Sequence, residues 1–60
     1  MKIVIKKSGW LKEKYHFNVV AKNGEVVATS EKYHSLIDLN DTIRLIQKDI
    51  AQAVVIMEWD

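Results

Sequence analysis

The stretch Lys14-Tyr15-His16-Phe17-Asn18-Val19-Val20-Ala21-Lys22-Asn23-Gly24-Glu25-Val26-Val27-Ala28-Thr29-Ser30-Glu31-Lys32-Tyr33 decides the fold. At its centre, Asn23-Gly24 separates two runs of alternating, β-branched residues. Asn-Gly is the favoured pair for a two-residue hairpin turn, because both central positions need positive φ. Such a turn predicts that Lys22 faces Glu25, Ala21 faces Val26, Val19 faces Ala28 and Phe17 faces Ser30. One face of the hairpin then carries Tyr15, Phe17, Val19, Ala21, Val26 and Ala28, and is assigned to the core. The other carries His16, Asn18, Val20, Lys22, Glu25, Val27, Thr29 and Glu31, with His16 opposite Glu31.

Upstream, Lys2-Ile3-Val4-Ile5-Lys6 alternates with period two and reads as a first strand. Residues 7–13 contain Ser8 and Gly9 and read as a loop or wide turn that carries Trp10 and Leu11. Downstream the period changes. Leu36, Leu39, Ile43, Ile46 and Ile50 are spaced three, four, three and four apart, which is one helical stripe. Ser35 with Asp38 three residues on resembles a capping box, and the helix is expected to end near Ala51. Ala53-Val54-Val55-Ile56-Met57-Glu58-Trp59 is short, β-branched and apolar on both faces, and reads as a closing strand. The expected fold is α+β: an antiparallel sheet of three N-terminal strands plus a C-terminal strand, with one helix on one face. Residues 1–60 form one small domain.

One helix cannot cover both faces of a sheet. The second face would carry Val4, Val20 and Val27, joined by Val55, Met57 and Trp59 of the closing strand. An apolar face of that extent reads as an oligomer interface. A chain of this length buries only about 60% of the surface it exposes when unfolded. With no cysteine for a disulfide or thiolate metal site, a second copy is the natural remedy. The expectation is a homodimer or larger assembly, packed sheet to sheet or by exchange of the last strand.

Apolar residues make up 48% of the 60 residues and charged residues 28%, the balance of a soluble globular protein. No apolar run approaches the roughly 20 residues that span a bilayer, so no membrane partner is expected. No cleavable leader follows Lys2, and a cytoplasmic location is expected. Net charge is +1, but its distribution is uneven. Residues 1–22 hold six lysines against Glu13, a net of +5, whereas residues 23–60 hold three basic and seven acidic residues, a net of −4. Such asymmetry suggests a surface that attracts anions, or two surfaces that attract each other.

The hairpin stretch also resembles the signature of the YegP-like family, small bacterial and phage proteins of uncharacterised function. The matching positions are Tyr15, Phe17, Val19, Asn23, Gly24, Glu25, Ala28, Thr29, Ser30, Glu31, Tyr33 and Ser35. The helix departs from the pattern, since Leu39-Asn40 is followed by Asp41-Thr42-Ile43 where the family tends to have a glycine before the isoleucine. Many relatives carry two tandem repeats and this chain carries one. The resemblance therefore implies a dimer standing in for the tandem form. It lends no catalytic residues.

No catalytic constellation emerges from the residues. Ser35 is occupied as a cap, Thr29 and Ser30 sit on a strand, and His16 with Glu31 reads as a cross-strand pair. His-x₃-His spacing, carboxylate-rich loops and phosphate-cradling glycine loops are all absent, so neither a metal nor a cofactor is expected. Binding is the remaining class. Lys6, Lys7, Lys12 and Lys14 surround Trp10, a basic and aromatic cluster suited to another protein or to an anionic ligand. The leading expectation is a non-enzymatic interaction module, an accessory or inhibitor protein of a bacterium or phage. The alternatives are a binder of nucleotide or nucleic acid at a lysine-lined subunit boundary, and a purely structural dimer.

Overall fold

The computed structural model describes residues 1–8 and 14–59. It is α+β, with a three-stranded antiparallel sheet followed by one helix. The strands are β1 (Lys2–Lys7), β2 (Tyr15–Val20) and β3 (Val26–Thr29), in the order β1-β2-β3. The helix is α1 (Leu36–Asp49), and a 3₁₀ turn, Ile50–Gln52, follows it.

The β1–β2 ladder is regular. It runs from Lys2 opposite Val20 to Lys7 opposite Tyr15 without interruption. The Ser8 N–H donates to the Lys14 carbonyl at 2.7 Å and carries the ladder one step further. Period-two alternation puts Lys2, Val4, Lys6, His16, Asn18 and Val20 on one face of this pair. Ile3, Ile5, Lys7, Tyr15, Phe17 and Val19 lie on the other.

The β2–β3 hairpin differs from the expected two-residue turn. Of its loop residues only Gly24 has positive φ, at 89°, and Asn23 does not. The Gly24 N–H donates to the Ala21 carbonyl (2.9 Å) and the Ala21 N–H donates to the Glu25 carbonyl (2.8 Å). This is a three-residue loop, Lys22-Asn23-Gly24, whose left-handed glycine closes the turn. The Asn23 Oδ1 accepts from the Glu25 N–H at 3.0 Å, so asparagine serves here through its side chain and not through its φ.

The longer loop shifts the register beside it. Val20 pairs with Val26, not Ala21 with Val26, while Val19 pairs with Ala28 as expected. Val27 is therefore an extra residue, a β-bulge. Val26 consequently leaves the face of Phe17 and Val19 and joins that of Val20, and it is 52% exposed, not buried.

β3 ends at Thr29, and the chain rejoins β2 through a bridge between Tyr15 and Tyr33. Between these points the Ser30 hydroxyl replaces a backbone acceptor. The Phe17 N–H donates to Ser30 Oγ (2.9 Å), and Ser30 Oγ donates to the Glu31 carbonyl (2.7 Å). The Ser30 N–H still reaches the Phe17 carbonyl at 2.9 Å.

Helix α1 begins where the sequence places it. Ser35 is the N-cap and its hydroxyl accepts from the Asp38 N–H at 3.3 Å. The α-helix stops at Asp49, two residues short of the expected end, because the chain tightens into the 3₁₀ turn. The helix packs against β2. Of its apolar stripe, Leu39 is fully buried, Ile43 and Ile46 are half-buried, and the outer members Leu36 and Ile50 are exposed. Phe17, Val20 and Leu39 form the core among the described residues.

The expected closing strand is not formed. Residues 53–59 carry no helix, strand or turn, and each of them is exposed. Their composition favours pairing, but a strand exists only beside a neighbour, and the sheet of this chain stops at three strands.

Candidate interaction surfaces

The lysines expected to cluster do not share one face. Lys6 pairs with His16 and lies with Lys2 on the face of Val4 and Val20. Lys7 pairs with Tyr15 on the opposite face, with its Nζ 5.9 Å from the centre of the tyrosine ring. That distance suits a weak cation–π contact. Lys14 is exposed where β2 begins. Trp10 and Lys12 lie outside the described residues. Sequence reasoning left out Lys2. The signal was available, because Lys2 and Lys6 are four apart on a strand and therefore share a face.

The apolar set divides differently. Val20 is buried in its own chain and Val4 is half-buried. Val27, at the bulge, is 55% exposed, and every residue of β3 is exposed with it. Val55, Met57 and Trp59 are 93%, 73% and 82% exposed, and Val54 and Ile56 between them are open as well. Beside this segment, Leu45, Ile46, Ile50 and Ala53 line a shallow apolar groove at the end of α1.

The hydroxyls of Thr29, Ser30 and Ser35 have structural surroundings. Ser30 links Phe17 to Glu31, Ser35 caps α1, and the Thr29 hydroxyl donates to Asn18 Oδ1 at 2.9 Å. The bridge at Tyr33 leaves both Glu31 and Lys32 opposite His16, so the simple His16–Glu31 facing is lost. His16 Nδ1 is buried and has no hydrogen-bond partner among the described residues. No three His, Asp or Glu side chains gather as a metal-binding group among those residues.

A protein-family model described as a domain of unknown function, DUF1508, matches residues 12–56. The chain belongs to this family. The DUF1508 match covers β2, β3 and α1, and it runs on through Ile56 into the exposed segment. It leaves β1 outside. No curated protein and no solved structure matched. No helix of this DUF1508 chain, among the described residues, is long and apolar enough to cross a membrane.

Proposed function

We propose that this chain is a non-enzymatic, self-associating interaction module of the YegP-like kind in its single-repeat form. It works in the cytoplasm of a bacterium or of a phage host, as an accessory or inhibitor protein. One observation carries the reading. Three apolar residues are buried among the described ones, whereas thirteen large apolar side chains are exposed. Five of the thirteen, Val54, Val55, Ile56, Met57 and Trp59, are near-consecutive. An apolar run of that kind marks a contact surface, not an ordinary solvated one. The partner is first a second copy of the chain and then another protein, engaged through the Trp10 connection and the basic strands.

The test is solution mass by light scattering over a range of protein concentrations, in low and high salt. The reading expects twice the chain mass of 7.0 kDa or more. A monomer throughout would overturn self-association, and affinity capture with the intact chain and a Trp10→Ala variant would then decide whether another protein is bound.

A second reading has its own support. Lys2 and Lys6 lie on one face of β1 with His16 of β2 opposite Lys6, a short polar row whose lysines suit phosphates. An anionic ligand such as a nucleotide or single-stranded nucleic acid would lose affinity when Lys6, Lys7 and Lys14 become Glu, and would weaken with salt. A protein interface would respond more to Trp10→Ala.

A further inference from the structure

We infer that residues 53–59 of one copy add as a fourth strand to the free edge of β1 in a second copy, and that the exchange is reciprocal. The inference rests on the interaction-module reading and specifies its first partner.

Four observations lead there. Residues 53–59 have strand composition and, among the described residues, no strand beside them, with Val54, Val55, Ile56 and Met57 each more than 70% exposed. Among the described residues the sheet has two open edges, β1 and β3. They are not equivalent. β3 has four residues, contains the bulge at Val27, and is flanked by Glu25 and Glu31. Bulges and short length both blunt an edge. β1 has six residues in an uninterrupted ladder, so its outer hydrogen-bonding groups follow the strand alternation without a break.

Charge then selects the occupant. Lys2, Lys6 and Lys7 on β1 would repel a second β1 laid beside it. They attract a strand that brings a carboxylate. Glu58 lies within the exposed segment, which belongs to the acidic part of the chain, whereas β1 belongs to the basic part. Around β3, Glu25 and Glu31 are matched by Lys22 and Lys32, so that edge offers no net positive charge to draw Glu58. Main-chain hydrogen bonds would give the affinity and the charge match would give the choice of edge. A two-fold assembly of this kind is closed, because each copy both gives and receives one strand.

The test uses the whole chain and measures the dimer dissociation constant by sedimentation. Proline has no N–H, and in an added strand successive N–H groups point alternately toward and away from the neighbour. One of Val55→Pro and Ile56→Pro should therefore weaken the dimer about tenfold or more, and the other far less. Both sites are exposed and lie outside every helix and strand, so circular dichroism should show the fold of the single chain intact. Charge gives a second arm. Lys2→Glu with Lys6→Glu should weaken the dimer, and adding Glu58→Lys should restore part of the loss. Alternation with rescue supports the exchange. Equal effects of the two prolines would overturn it in favour of a side-chain contact that leaves the module reading standing. Alternation without any response to the lysine changes would overturn the choice of β1. A monomer at all concentrations would overturn the exchange, and the module reading would then depend on another protein.

Discussion

β2 and residues 53–59 have similar compositions and opposite fates. Both are short, β-branched and aromatic-bearing. β2 has a strand on either side, and it buries Phe17 and Val20. Residues 53–59 have no strand beside them among the described residues, and each of them is exposed. The difference lies in the neighbours, because β propensity expresses how well a side chain fits a pleated, half-covered surface.

The largest perturbation should come from the covered strand. Phe17→Ala removes one of the three buried apolar side chains among the described residues, at an expected cost of about 3–5 kcal/mol, a large share of the stability of a domain of this size. Thermal or urea unfolding followed by circular dichroism would measure it. Leu39→Ala on the helix should cost about 2–5 kcal/mol in the same assay. Ser30→Ala should cost about 1–3 kcal/mol, because the half-buried Phe17 N–H loses its acceptor. Gly24→Ala has open space for its methyl group but would place a Cβ at φ 89°, at about 1–2 kcal/mol. At the other end of the comparison, Val55→Ala should leave the stability of the single chain within about 0.5 kcal/mol. A large loss there, measured at a concentration where the chain is monomeric, would show that residues 53–59 already support the core.

Much of the fold was legible from particular residues. Asn23-Gly24 located the hairpin, and Ser35 with the three-four spacing located the helix. The turn type was not legible. Asn23 can serve a hairpin through positive φ or through its side-chain oxygen, and the structure uses the second. That choice lengthened the loop by one residue, created the bulge and moved Val26 to the face of Val20. The closing strand is not shown in the single chain for a related reason. Periodicity reports what a segment would do beside a partner and is silent on whether its own chain supplies one. The lysine cluster was legible as charge. Its division between two faces depended on the register that sets Lys6 against His16 and Lys7 against Tyr15.

The two irregularities of the β2–β3 hairpin have a consequence for alignment. At one end a left-handed position accepts only glycine without strain, and at the other a side-chain hydroxyl must meet the Phe17 N–H. Sliding β3 by one residue would put Asn23 or Glu25 at the left-handed position and move Ser30 away from Phe17. The hairpin is thus indexed at both ends, like a rule with a stop at each edge. β1 carries no such mark. Its six even pairs take their alignment from β2, so in this sheet it is the hairpin that keeps the register and β1 that follows it.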